Sequence, residues 1–152
     1  MASHNPVNHP ARPVYRAICG LIGLYLVAFG VIGFVQNAGE EFFAQDDTLV
    51  LGQGVNLAGS VLFALLGVVI LIATVLGRNI DVAVNGLLSY VVMTISLLML
   101  AILRTDANVL DWSVATVIVT MVIGLTLLTA AKYGTVGTDE DERAWRDGRL
   151  VL

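Results

Sequence analysis

Residues 14–35 read VYRAICGLIGLYLVAFGVIGFV, an apolar run in which Arg16 is the single charge. At 1.5 Å of rise per residue this helix would span roughly 30 Å, the thickness of the hydrocarbon core of a bilayer. The run is therefore read as a transmembrane helix. More apolar runs follow it, so a retained anchor is expected rather than a cleaved signal peptide.

Working outward, residues 1–13 (MASHNPVNHPARP) contain Pro6, Pro10 and Pro13, each of which disfavours helix at the residue before it, and an extended tail is predicted. After the first span, residues 36–54 carry Glu40, Glu41, Asp46 and Asp47 with no Lys or Arg, and form the first loop. Phe42 and Phe43 inside it suit the headgroup interface, a role expected ahead of partner binding. A second span is expected over 55–76, ended by Gly77, with Arg78 and Asn79 in a tight turn. The third follows over 80–103, where Asp81 in the first turn meets the positive end of the helix dipole. A short loop around Arg104 leads to a fourth span over 110–131, with Asp111 and Trp112 at its outer edge and Trp112 in the aromatic belt. Residues 134–152 form a charged tail, in which Thr138 and Asp141 have capping-box spacing ahead of a surface helix over 139–147, stopped by Gly148.

The predicted fold class is thus all-α: a polytopic membrane protein built as a four-transmembrane-helix bundle, with the membrane domain over 14–133. Four spans put Arg12, Arg16, Arg78, Lys132, Arg143, Arg146 and Arg149 on one side and leave Arg104 alone on the other. By the positive-inside rule both termini are expected in the cytoplasm and the acidic first loop outside, in a multi-pass protein of the cell membrane. Composition agrees, because 57% hydrophobic and 13% charged residues lie outside the soluble range. A net charge of −4 argues against nucleic acid as a partner, since phosphate binding needs clustered Lys and Arg.

Chemistry inside the bilayer usually leaves ionisable residues at depth, and here every Asp, Glu, Lys and Arg of the spans falls within a turn or two of an end. Both histidines, His4 and His9, lie in the amino-terminal tail, so no span offers a haem ligand and no serine has a histidine base. Cys19 is the sole cysteine, which excludes an internal disulfide, and its expected role is packing. No cofactor, metal site or catalytic residue is predicted.

The features that rise above background concern packing, because helices in lipid associate through small residues and side-chain hydrogen bonds. Gly20, Gly23 and Gly30 share one face of the first span by the three-four spacing. The second offers Asn56, Ser60 and Ala64 at steps of four, and the fourth offers Thr116, Thr120 and Gly124. Asn85, near the start of the third, needs a partner on a neighbouring helix, on another subunit or in a water-filled cavity, since an unsatisfied amide in hydrocarbon is costly. Asn56 and Asn85 are expected at opposite membrane levels.

The run Pro10, Ala11, Arg12, the pair Tyr15–Arg16, the glycine-rich first span and VNLAGS over 55–60 resemble an actinobacterial family of four-helix membrane proteins of unknown function, over about residues 10–133. Members of that family often carry histidines near the start of the second span, where this chain has Leu57, Ala58 and Leu62, so no histidine role carries over. The resemblance implies fold and location. By analogy, small membrane proteins of this look also serve as accessory subunits of larger assemblies, respiratory supercomplexes among them. The functional expectation is a non-catalytic interaction protein: an accessory or scaffolding subunit of a larger membrane complex, or a homo-oligomer. The alternative is a small transporter or channel for a neutral or weakly polar solute, lined by Ser, Thr and Asn of the last three spans. Glu40, Glu41, Asp46 and Asp47 are candidates for meeting a basic partner on the outside.

Overall fold

The computed structural model of the chain describes residues 5–149. Five helices follow one another: α1 Arg12–Gln36, α2 Leu57–Leu76, α3 Ile80–Ile102, α4 Val114–Tyr133 and α5 Asp139–Arg149. The first four are long and apolar enough to cross a membrane. Helix is the form that lets a lone segment satisfy its own backbone in hydrocarbon. Between α1 and α2 a small antiparallel ribbon pairs β1 Leu49–Val50 with β2 Gln53–Gly54.

Local side-chain chemistry sets the helix ends, and it moves several of them from their expected places. α2 starts at Leu57 rather than at 55, because Asn56 adopts an extended backbone and its side chain accepts from Gly59 N at 3.0 Å as the N-cap. Asn56 is therefore a cap, not a member of the span's packing stripe. α4 starts at Val114 rather than at 110. Asn108 brackets Trp112 from both sides, accepting from its N at 3.0 Å and donating to its O at 2.9 Å, while Asp111 takes a left-handed φ of 52°. Such local bonds compete with helix, and Ser113 then opens α4 through a capping box with Thr116. α1 extends beyond 14–35 at both ends, α3 stops at Ile102, and α4 continues to Tyr133. The turn from α2 to α3 uses three left-handed residues in a row, Gly77, Arg78 and Asn79. α5 runs through Gly148 to Arg149.

The bundle is two helical hairpins, α1 with α2 and α3 with α4, set side by side. Within the first, backbones touch. A Cβ on Gly30 would lie 2.5 Å from both Ala64 N and Ser60 O, and one on Gly67 would lie 2.6 Å from Gly23 O. Within the second, a Cβ on Gly124 would lie 2.6 Å from Met93 Cγ. The interior holds small and polar side chains together with Leu26, Phe29, Phe63, Ile70 and Leu127, while Leu21, Leu65, Val75, Leu87 and Leu98 point outward. Trp112 does not lie in an interfacial belt: it is buried and stacked on Phe63 at 5.4 Å, and Phe63 meets Phe29 edge-on at 5.1 Å.

The amino-terminal segment is not a loose extended tail. From Asn5 to Ala11 it lies against the stretch that joins α4 to α5, where Asn8 N donates to Thr135 O at 3.0 Å and Asn8 Nδ2 to Gly137 O at 3.2 Å. Val7 is buried there, and a Cβ on Gly137 would lie 2.9 Å from its side chain.

Replacing Gly30 by Ala forces a methyl into α2 backbone that cannot yield without parting the hairpin, so it should cost about 1–3 kcal/mol. Gly20→Ala, whose Cβ would meet only Thr74 Cγ2 at 3.8 Å, should cost little. Thermal unfolding of the two variants in mild detergent measures the difference, and equal midpoints would contradict the packing described.

Candidate functional site

Both ends of the bundle carry polar constructions, and these hold the chemically capable residues. At the end that bears the termini, Asp81 in the first turn of α3 is 3% exposed. Its Oδ2 lies 3.4 Å from Arg12 Nη2 and 3.2 Å from Arg16 Nε, both from the first turns of α1. The same guanidinium groups reach the other helices: Arg12 Nε donates to Gly134 O at 2.7 Å, and Arg16 Nη2 donates to Thr74 O near the end of α2. Asp81 Oδ1 accepts from Val82 N at 3.1 Å. One carboxylate and two arginines thus fasten all four spans, so Asp81 does more than complement a helix dipole.

One turn deeper, Asn85 Nδ2 donates to Cys19 Sγ at 3.3 Å, which joins α3 to α1. Asn85 and Asn56 lie at opposite ends of the bundle. His9 is packed between rings, 5.2 Å from Tyr133 and 6.5 Å from Tyr15, and its Nδ1 accepts from Ala11 N at 3.2 Å. His4 lies outside the described residues. Among the described residues no group of three or more His, Cys, Asp or Glu could hold a metal ion.

The opposite end is a cap in which two loops lock together. Asn56 Nδ2 donates to Ala44 O and to Val109 O, both at 2.9 Å, and Gln45 Nε2 donates to Asp106 O at 3.2 Å and Asn108 O at 3.1 Å. Gly54 N donates to Ser113 Oγ at 2.9 Å, and Gly54 O accepts from Thr116 Oγ1 at 2.7 Å. The backbones approach so closely that a Cβ on Gly54 would lie 2.7 Å from Asp111 O. Glu40, Glu41, Asp46 and Asp47 ride on this cap, exposed, and form no ion pair among the described residues. Burial pushes the Asp111 carboxyl above its ordinary range, and the charges of Asp47 and Asp46 push it further against the pull of their backbone N–H groups.

Between the ends, the span hydroxyls are spent on protein acceptors. Ser60 Oγ donates to Asn56 O at 2.7 Å and Ser96 Oγ lies 2.8 Å from Thr120 Oγ1, while Thr120 Oγ1 in turn donates to Thr116 O at 2.8 Å. Gly23, Gly30, Ser60 and Ala64 meet at the α1/α2 seam, and Thr120 and Gly124 at the α3/α4 seam. Thr116 serves the cap instead, and Gly20 makes an ordinary contact. Gly33 extends the first seam together with Gly67, which sequence reasoning missed, as it missed Ser89 and Ser96, which continue from Asn85 along the buried face of α3. It also missed the Arg12–Asp81–Arg16 cluster; its signal is an arginine one turn inside the first span and an aspartate at the same level of the third. No family model, curated protein or solved structure matches the chain.

Asp81→Asn leaves two guanidinium groups without their carboxylate. Removing one member of a buried pair costs about 3–5 kcal/mol. Arg12 and Arg16 keep 18% and 36% of their side-chain surface, so water should offset part of that loss. About 2–3 kcal/mol is expected after this discount. Glu142→Gln, which breaks the surface pair with Arg146 and keeps an amide oxygen for Asn8 Nδ2, should change stability by less than about 1 kcal/mol. Equal effects in denaturant titration would remove Asp81 from its central place.

A carboxyl whose folded-state pKa is raised opposes folding while ionised, and that cost disappears as pH falls through the folded pKa. Asp111→Asn should therefore melt above the parent at neutral pH, with the gap closing toward about pH 4, near the ordinary carboxylate range. A gap that does not change with pH would contradict this assignment.

Proposed function

We propose that this chain is a non-catalytic membrane protein that works by association, as an accessory or scaffolding subunit of a larger complex in the cell membrane, with both termini cytoplasmic. The observation that carries the reading is the cap opposite the termini. Phe42, Phe43, Leu49 and Leu51 stand 48%, 58%, 60% and 62% exposed on it, held by the loop-to-loop bonds rather than on a floppy loop. The ribbon turns through Leu51 and Gly52 with φ of 50° and 79°, a two-residue turn whose first position suits Asn, Asp or Gly. A leucine there is strained and leaves its side chain in the open, which is a poor choice for folding and a reasonable one for contact.

The exposed acids Glu40, Glu41, Asp46, Asp47 and Asp106 belong to the same two loops as these apolar groups, with Arg104 the one base there among the described residues. An apolar patch inside an acidic field suits a partner surface with basic residues around an apolar recess, and it is repelled by anionic lipid. The orientation follows from charge, since Arg78, Lys132, Arg143 and Arg146 accompany Arg12 and Arg16 at the end bearing the termini. The likeness to the actinobacterial four-helix family belongs to the same proposal and speaks to fold and location.

The transporter alternative has less support. The hydroxyls it would use to line a path, Ser60, Ser89, Ser96, Thr116 and Thr120, are each 2% exposed or less and donate to protein oxygens.

Extraction from native membranes in mild detergent, followed by native mass spectrometry, tests the proposal with three chains: the parent, Leu51→Asn, and a variant with Glu40 and Glu41 changed to Gln and Asp46 and Asp47 to Asn. The parent should travel with a partner in fixed stoichiometry. Both variants should keep the parent's unfolding midpoint or exceed it, and lose most of the partner. Repeated isolation of the parent as a lone monomer would overturn the reading, and a self-association lost in both variants would make the partner a second copy.

A further inference from the structure

We infer that the end of the bundle bearing the termini contains a binding site for one internal water molecule, between Arg16 and Cys19 of α1 and Asp81 and Asn85 of α3. The inference is independent of the proposed function. A cavity of about 10 Å³ lies there, lined also by Tyr15 and Gly134. That volume is about what a single water requires, and a water also needs two to four polar partners. The partners are present. Asn85 is 4% exposed, and its Oδ1 accepts no hydrogen bond from the protein. Arg16 Nε is likewise buried and makes no well-aligned hydrogen bond, although it lies 3.2 Å from Asp81 Oδ2.

Turning the Asn85 amide over does not remove the requirement. Its oxygen would then face Cys19 and its NH2 group the cavity, which exchanges an orphan acceptor for an orphan donor. At this depth an unsatisfied amide has no lipid partner and costs several kcal/mol. A water settles both atoms, donating to Asn85 Oδ1 and to the Asp81 carboxylate and accepting from Arg16 Nε. It thereby extends the charged cluster inward by a turn. The Asn85–Cys19 contact becomes the inner terminus of a hydrogen-bonded chain that begins at Arg12 and Gly134.

Water-to-protein cross-relaxation by NMR, on the full chain in nanodiscs of deuterated lipid, reads the site directly. The Asn85 side-chain amide and the Arg16 Nε proton should both show cross-peaks to water at the rate of a bound, slowly exchanging molecule. In Asn85→Leu, whose side chain fills the cavity, the Arg16 cross-peak should vanish, whereas in Asn85→Ser it should persist. A parent protein whose Asn85 amide shows no water cross-peak would overturn the inference. So would an Arg16 cross-peak undiminished in Asn85→Leu, which would trace that signal to water at the membrane surface. Should Asn85→Leu fail to fold, the Asn85 cross-peak of the parent decides alone.

Discussion

The pairing of helices in this bundle depends first on how closely α1 can approach α2. Lipid tails are as apolar as leucine, so burial of oil gives these helices no reason to associate, and dispersion at short range together with hydrogen bonding must serve. Gly23, Gly30 and Gly33 on α1 meet Ser60, Ala64 and Gly67 on α2 with backbone almost in contact with backbone. The large aliphatic side chains are thereby left on the outside, where lipid accepts them. The α3/α4 hairpin uses the same device more sparingly, with one glycine and a set of buried hydroxyls that bond to their own helices and, at Ser96 and Thr120, to each other.

Seams of this kind hold pairs of helices together without saying how the pairs sit relative to one another, and the polar ends supply that. At one end two arginines of α1 reach α2, α3 and the end of α4 around a single carboxylate, and Asn8 ties the amino-terminal segment to the stretch that follows α4. At the other, side chains bond to backbone within and between the two connections: Asn56 to residues 44 and 109, Gln45 to residues 106 and 108, Ser113 and Thr116 to residue 54. Polar bonding is therefore concentrated where polar groups exist at low cost, and the hydrocarbon-level interior relies mainly on close fit. The same economy accounts for the glycines in α1, which would weaken a helix in water but keep their internal hydrogen bonds in lipid.

The helical class and the four spans were legible because hydrophobicity over a span length is a strong signal. Gly23, Gly30, Ser60, Ala64, Thr120 and Gly124 were legible because helical spacing puts small residues on one face, whereas Gly20, Asn56 and Thr116 share that spacing and take other roles. Helix ends were read less well. The shifts at Leu57 and Val114 come from Asn56 and Asn108, and an asparagine's choice between capping, bracketing a loop and joining a span is made by backbone atoms far away in sequence. Trp112 was misread for a related reason, since an aromatic at a span edge suits either interface or core, and it is Phe63 on another helix that decides. The Arg12–Asp81–Arg16 cluster was hidden because each residue alone has an adequate local explanation. Its meaning appears only when α1 and α3 are adjacent.

Both ends of the bundle are folded structures, made largely by side chains that reach across loops. Hydrogen–deuterium exchange of the full chain in lipid nanodiscs tests it most directly. The amides of Asn8, Gly54, Asn56 and Ala58, bonded to Thr135, Ser113, Leu110 and Phe42, should exchange slowly, well behind those of an unstructured loop. Exchange at those four amides as fast as in a free peptide, with the spans themselves protected, would contradict the account and leave a helical bundle joined by loose connections.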